Sequence, residues 1–153
     1  MGLWVSRNST RDETHADQHG SEYEGITPKE ALARRKAKGL DQDREWDIWR
    51  DGCEGGESPA QLQARIDTLI AEIKSIQGPL IKSTSGEPKD IVLITHGHTT
   101  RAFAKRWMGF EISFPMSLMM DPGAVGVLSY QHHSVDEPAL MVGTGFPADS
   151  QRR

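Results

Sequence analysis

The sequence is poor in several features that would assign it to a specialised class. A single cysteine, Cys53, excludes an internal disulfide framework. No stretch approaches the roughly 18 consecutive apolar residues that a membrane-spanning helix needs, so no interaction with a membrane is expected. Acidic residues outnumber basic ones, 22 to 18, and the resulting formal charge of −4 gives no electrostatic footprint for nucleic acid. Together these scarcities favour a cytoplasmic protein.

Apolar residues are also few. Hydrophobic residues make up 36% of the 153 positions, whereas glycine and proline number 15 and 8, which is typical of a loop-rich chain. The length is that of one domain with a real core. Residues 1–19 are polar and lack periodicity, so we expect an unstructured or unrelated arm there, and a short tail at 149–153.

What is present begins with two helices whose start signals are complete. Thr27 followed by Pro28 and Glu30 forms a capping box, and Ser58 with Gln61 repeats the pattern before a long apolar stripe. We expect the second helix to end at Gly78-Pro79.

Two patterns near these helices have structural interpretations. The basic run 34–36 is expected to be a solvated helix face. Trp46 and Trp49 are three positions apart and are expected to be buried together.

The central stretch of the chain runs from Asp90 to Trp107. Residues 91–94 form a short apolar run of β-branched character, typical of a parallel strand that is covered on both faces. His96 follows at its carboxyl end, where ligands bind in open α/β sheets. A helix should come next, capped by Thr99 or Thr100.

That helix offers features for an anion. Gly97 allows close backbone approach, the free N–H groups of the first turn attract negative charge, and Arg101 adds a bidentate partner for an oxyanion. Phe103 and Trp107 supply a packing face, and Gly109 should end the helix.

His96 and His98 leave three interpretations open. With the pair 132–133 they could bind a metal ion, although the familiar metallohydrolase pattern His-x-His-x-Asp-His is broken by Thr100 and Arg101. They could instead serve phosphate chemistry, by attacking phosphorus or by stabilising the charge of a transferred group. A histidine that only hydrogen-bonds the backbone is the third interpretation. The cation favours phosphate over metal, so no metal is expected.

Two further groups are weaker candidates. Glu22 and Glu24 flank Tyr23 and could include a general acid, although such residues are more often exposed or cap the following helix. The pair 132–133 lies between two predicted strands, 125–130 and 139–142, and is expected to occupy a hairpin loop.

The motifs together resemble a known family. ITHGHTTRAFAKRWMG resembles the second-histidine motif of the histidine phosphatase superfamily, which includes phosphoglycerate mutases and fructose-2,6-bisphosphatases. SEYEGITPKE and the later GGES resemble its tyrosine-glutamate-glycine and glycine-glutamate-serine segments. WDIWRDGCEGGES and DPGAVGVLSYQHHSVDEPAL are similar to the fungal sedoheptulose-1,7-bisphosphatase branch. The resemblance covers about residues 20–148, as the carboxyl-terminal portion of such a domain.

This resemblance implies an enzyme that hydrolyses phosphoric monoesters of sugars through a phosphohistidine, without metal or other cofactor. His96 would be the catalytic histidine that binds the phosphoryl group. Gly97, His98, Arg101, Tyr23 and Glu24 would bind the sugar-phosphate substrate.

The sequence departs from the family at one motif. No Arg-His-Gly occurs, and in the nearest likeness, residues 3–9, Asn8 stands where the nucleophile would be. The family's leaving-group acid would fall on Asp17.

We therefore expect an α/β fold, an incomplete three-layer sandwich of the phosphoglycerate mutase-like type lacking its first strand. Such a truncated chain is expected to be inactive or impaired, or a non-catalytic phosphate-binding remnant, and to self-associate through exposed sheet edges.

Overall fold

The computed structural model describes residues 4–7, 10–12, 22–23, 25–84 and 90–143. These residues form five strands and four helices. The elements are β1 (Trp4–Arg7), β2 (Thr10–Asp12), α1 (Pro28–Ala37), α2 (Ile48–Asp51), α3 (Pro59–Ile81), β3 (Val92–Ile94), α4 (Gly97–Trp107), β4 (Val127–Tyr130) and β5 (Pro138–Met141). Within this part of the chain, no helix combines the length and the apolar character that crossing a membrane requires.

Strands β1, β2 and β3 form one sheet in the order β2-β1-β3, with both pairings antiparallel. Trp4 pairs with Ile94, and Ser6 pairs with Val92. Strands β1 and β2 both lie in the segment that we expected to be an unstructured or unrelated arm. The domain limits themselves, 20–148 with a tail at 149–153, stay a prediction.

Strand β3 is exposed on one side, and our expectation of a parallel strand covered on both faces was wrong. Val92 and Ile94 are 57% and 60% exposed, whereas Leu93 and Ile91 are half-buried against the core. The reason is that successive side chains of a strand point to opposite faces, and among the described residues the core packs against the face that carries Ile91 and Leu93.

Both capping boxes are confirmed. The Thr27 side chain accepts from the Glu30 N–H while the Glu30 carboxylate accepts from the Thr27 N–H, and Ser58 with Gln61 does the same for α3.

The predicted end of α3 at Gly78-Pro79 was wrong, since the helix continues through Pro79 to Ile81. Burial of part of Leu80 and Ile81 in the last turn offsets the hydrogen bond that the proline cannot donate.

The core lies between α3 and α4. Its buried residues come from one stripe of each helix and from the segment after α4: Ile66, Leu69, Ile70, Ile73, Ala102, Phe103, Trp107 and Ile112. The expected pair on α4 is confirmed, with the Phe103 and Trp107 rings stacked at 6.0 Å between centroids. This packing fixes α4, and with it the residues at its amino-terminal end.

Strands β4 and β5 form an antiparallel hairpin with Leu128 opposite Leu140. The prediction of two strands around a polar connection is confirmed, with β4 beginning two residues later than expected and β5 spanning 138–141. Trp107 joins the hairpin to α4, because its indole N–H donates to the Ser129 carbonyl at 3.3 Å and its ring lies 5.0 Å from that of Tyr130.

Candidate functional site

His96 lies between β3 and α4, as the sequence predicted. It is the N-cap residue of α4, with φ −92° and ψ 159°, and its side chain is exposed and makes no capping hydrogen bond. The expectation that Thr99 or Thr100 caps the helix was wrong, because α4 already begins at Gly97. Thr99 is instead buried, and the Thr100 hydroxyl donates to the His96 carbonyl at 3.0 Å. The imidazole is thus available to a ligand at the positive end of the helix.

Arg101 lies beside Gly97 at the same end of α4. Its Nε donates to the Leu118 carbonyl at 2.9 Å, which holds the half-buried side chain in place. A Cβ atom built on Gly97 would lie 3.0 Å from Nη1 of Arg101. The guanidinium therefore approaches the first residue of the helix, where its charge adds to that of the free backbone N–H groups. This arrangement suits an anion such as a phosphoryl group.

His98 lies in the first turn of α4 and is exposed overall, yet one face of its ring is covered. The imidazole stacks on Trp49 with 5.4 Å between ring centroids and an interplanar angle of 19°. Desolvation of the ring and, secondly, the positive charge of Arg101 lower the pKa of His98 below its ordinary value. Near neutral pH the ring is therefore predominantly uncharged, with one nitrogen donating and the other accepting.

Trp49 and Trp46 do not form the buried pair that the sequence predicted. Trp49 contacts α4 through His98 and through Lys105, whose Nζ lies 4.4 Å from the indole centroid. Trp46 packs against Tyr23, edge to face at 5.7 Å, and against Arg35. The reason is that Trp49 lies in the short helix α2 whereas Trp46 precedes its N-cap, so a spacing of three residues does not bring the two rings to one helix face. The segment 46–51 thus connects the Tyr23 region with the His98 region.

Tyr23 is held by charged residues from two other segments. Its hydroxyl donates to Oε2 of Glu54 at 2.6 Å and accepts from Nη1 of Arg35 at 3.2 Å. Lys38 pairs with both Glu22 and Glu54, at 2.6 and 3.3 Å. Burial and the hydrogen bond to Glu54 raise the pKa of Tyr23. Glu24, the other residue expected to bind substrate in this segment, lies outside the described residues, as does Asp17.

Arg35 corrects another expectation. We predicted that the basic run 34–36 would be a solvated face, but Arg35 is 7% exposed and pairs with both carboxylate oxygens of Asp41 at 2.6 Å. Its cation also lies 5.2 Å from the centroid of the Trp46 ring. Arg35 therefore organises the surroundings of Tyr23 and carries a structural role that the run of like charges concealed.

His132 and His133 occupy the turn between β4 and β5, as predicted. Both have positive φ, 47° and 55°, and both are exposed. Nδ1 of His132 lies 2.6 Å from a carboxylate oxygen of Glu137 within the same turn. Among the residues that the structure describes, no three His, Cys, Asp or Glu side chains form a group able to hold a metal ion.

Sequence reasoning missed three residues that shape the site: Glu54, Trp49 and Lys105. Glu54 stands next to a glycine pair and gives no local signal, and Lys105 appears as one more cation on a helix. Only the tryptophan offered a cue, because a large aromatic between charged residues either packs or stacks on a ligand. Each of the three acts through a contact that is distant in sequence.

Comparison with known proteins agrees with this geometry. The sequence model of the histidine phosphatase superfamily (branch 1) matches residues 8–139. The chain belongs to this superfamily, and its α/β fold is of the phosphoglycerate mutase-like type. The match begins inside the segment 1–19, before the point at which the resemblance in sequence motifs starts.

Two characterised relatives and one solved structure are similar to the chain. Sedoheptulose 1,7-bisphosphatase of Saccharomyces cerevisiae is 34% identical to the chain, over 82% of this chain and 57% of that protein. An acid phosphatase of Mycobacterium tuberculosis is 26% identical over 82% of this chain and 53% of its own length. The solved structure of a Mycobacterium tuberculosis open reading frame product superimposes with a TM-score of 0.55 at 24% identity, over 83% of this chain and 55% of that one. The chain thus spans little more than half the length of each.

Proposed function

We propose that this chain carries the phosphate-binding half of a phosphatase that acts on sugar bisphosphates resembling sedoheptulose 1,7-bisphosphate. The observation that carries the proposal is the placement of His96, Gly97 and Arg101 at the amino-terminal end of α4. Membership of the histidine phosphatase superfamily and the likeness to the yeast bisphosphatase support it.

In this proposal each residue has one task. His96 binds the phosphoryl group and stabilises the charge that develops during its transfer, together with the backbone N–H groups of the first turn. Arg101 binds two phosphoryl oxygens, and Gly97 leaves room for them. His98, Tyr23 and Glu24 contact the rest of the substrate. No metal ion or organic cofactor takes part.

The sequence contains no Arg-His-Gly motif, which would supply the attacking histidine. By itself the chain is therefore proposed to be inactive or impaired. The second candidate, favoured by this same observation, is a non-catalytic protein that binds phosphate esters without turning them over. The proposed compartment is the cytoplasm, supported by the use of only one cysteine.

We also propose that the chain self-associates. Val92 and Ile94 of β3 and Val127 and Met141 of the hairpin are all 44% exposed or more. Exposed apolar side chains on the strands of a sheet favour association with another chain. A second copy, or a polypeptide that completes the sheet, would cover them.

The test is phosphate release from sedoheptulose 1,7-bisphosphate in excess chelator, with His96→Ala and the matched control His133→Ala. Turnover that survives chelation and is lost only with His96→Ala would show an active phosphatase and overturn the impaired state. Turnover lost on chelation would contradict metal-free chemistry. Without turnover, calorimetric binding of the bisphosphate to the unmutated chain, abolished by His96→Ala alone, supports the phosphate-binding half-site. Absence of binding in a sample that is folded by circular dichroism contradicts it.

A further inference from the structure

Trp49 contacts two side chains of the same helix. His98 stacks on its ring at 5.4 Å, and Nζ of Lys105 lies 4.4 Å from its centroid. His98 and Lys105 are separated by two turns of α4, about 10.5 Å along the helix axis. One indole thus contacts both an imidazole and an ammonium along this length of the helix. Trp49 therefore lies along α4, and its contact with His98 is next to the phosphate-binding end.

Trp49 is held against α4 by contacts that do not involve a ligand. Its backbone N–H donates to Oδ1 of Asp47, the N-cap of α2, at 2.9 Å, which fixes the main chain of residue 49. Lys105 is 3% exposed, and its Nζ donates to the Ile112 carbonyl at 2.8 Å. Burial lowers the pKa of Lys105, and the nearby Asp47 carboxylate opposes that shift. Because the ammonium of Lys105 is poorly hydrated, its contact with the face of the indole is stabilising, and this contact holds Trp49 against α4.

The position of Trp49 determines the side-chain rotamer of His98. An exposed imidazole in the first turn of a helix would otherwise exchange between rotamers, and stacking on a fixed ring selects one of them. We propose that Trp49 is a positioning residue, which holds the His98 ring at the rim of the phosphate site so that it meets the hydroxyl groups of a sugar phosphate. This rests on the proposed function. A neutral imidazole, as the lowered pKa of His98 favours, donates one hydrogen bond and accepts another, as a hydroxyl requires.

The first experiment follows the ring resonances of His98 by NMR across a pH titration, assigned by comparison with His98→Gln. Trp49→Leu removes the aromatic face, so the pKa of His98 should rise toward its ordinary value. Trp49→Phe retains a stacking ring and should stay close to the unmutated chain. Trp46→Leu is the matched control, because that indole packs on Tyr23 and Arg35, and it should leave the pKa of His98 unchanged.

An unchanged pKa of His98 in Trp49→Leu would overturn the positioning role. An equal rise in Trp46→Leu would do the same, since general loosening of the segment would then explain both. If Trp49→Leu does not fold, Trp49→Met, which keeps apolar volume without a ring, replaces it with the same expectation.

The second experiment compares calorimetric binding of sedoheptulose 1,7-bisphosphate and of inorganic phosphate. Trp49→Leu should weaken binding of the bisphosphate about tenfold and that of inorganic phosphate less than about twofold, because only the former meets His98. Equal weakening of both would overturn the sugar-facing role. If the unmutated chain binds neither, the proposed function fails, whereas the NMR titration still decides whether Trp49 positions His98.

Discussion

Nη1 of Arg101 lies 3.0 Å from the position that a β-carbon on Gly97 would occupy. The guanidinium therefore depends on the absence of a side chain at the first residue of α4. Because its Nε is already engaged by the Leu118 carbonyl at 2.9 Å, the group can give way only by turning its outer end away from the helix. The glycine thus determines where the cation stands relative to the backbone N–H groups.

Gly97→Ala should accordingly weaken anion binding without loosening the fold. Alanine is the better helix former by about 1 kcal/mol, so Tm should be unchanged or slightly higher. Displacement of Arg101 should lower the affinity for inorganic phosphate roughly tenfold, about 1.4 kcal/mol. Calorimetry and thermal unfolding measure the two effects.

Gly109→Ala provides the control, since Gly109 has φ +83° and no atom lies within contact distance of an added β-carbon. This variant should lose about 1 kcal/mol of stability from backbone strain and keep its phosphate affinity. Unchanged phosphate binding in Gly97→Ala would contradict the role assigned to the contact.

Glu54 should control the ionisation of Tyr23. The pKa of Tyr23 is raised by burial and then by the hydrogen bond to Glu54, while Arg35 opposes the shift. Glu54→Gln removes the negative charge, so Tyr23 should ionise at lower pH. The chain has two tyrosines, and burial raises the pKa of Tyr130 to about 12. Ultraviolet titration in a Tyr130→Phe background therefore reports Tyr23 alone.

Glu57→Gln is the matched control for Glu54→Gln, because Glu57 pairs with Arg65 instead of Tyr23. It should leave the Tyr23 titration where it is. A Tyr23 titration that Glu54→Gln does not move would show that burial alone sets its pKa.

Local chemistry explains what the sequence could predict. Thr27 and Glu30 satisfy each other three residues apart, and Phe103 and Trp107 meet one turn apart, so both pairs follow from helix geometry. The position of His96 between β3 and α4 also follows from local sequence, because a short apolar run followed by His-Gly-His indicates a strand that ends in a tight loop.

The errors concern burial and distant partners. The exposure of Val92 depends on which strand pairs with β3, and the direction of the Trp49 ring depends on α4, more than forty residues later. The hydrogen bond between Tyr23 and Glu54 forms only because two segments distant in sequence lie next to each other. None of these relationships has a period or a spacing that a linear pattern could show.

The lowered pKa of His98 should make stability depend on pH. Between its folded value and the ordinary value of about 6.5, the unfolded chain binds more protons than the folded one, so stability falls as pH decreases through that window. Urea unfolding at about pH 5.5 and about pH 7.5 should show a smaller difference in His98→Gln than in the unmutated chain. If His98→Gln leaves the difference unaltered, the folded ring is not held in its neutral form.

The exposed face of β3 should drive association between chains. Val92→Lys and Ile94→Lys place charges on side chains that are 57% and 60% exposed, so stability should change by less than about 0.5 kcal/mol. Sedimentation velocity over a range of concentrations should show association of the unmutated chain and less of it in either variant.

Leu93→Lys is the contrasting change, because Leu93 packs against the core. It should destabilise the fold by about 3 kcal/mol or more, as expected for a charge introduced without a partner. Association that persists unchanged in both outward-facing lysine variants would assign the contact to another surface.

Helix α1 is attached to the remainder differently from α3 and α4. It contributes none of the residues of the main apolar core, and its buried residues are Ala31 and Arg35. Among the described residues its contacts with other segments include the Lys38 pairs with Glu22 and Glu54 and the contacts of Arg35 with Tyr23 and Trp46. Ionic attachments weaken with salt, whereas apolar ones do not. We therefore expect α1 to separate from its neighbours ahead of global unfolding, which a protease would detect as early cleavage at high ionic strength.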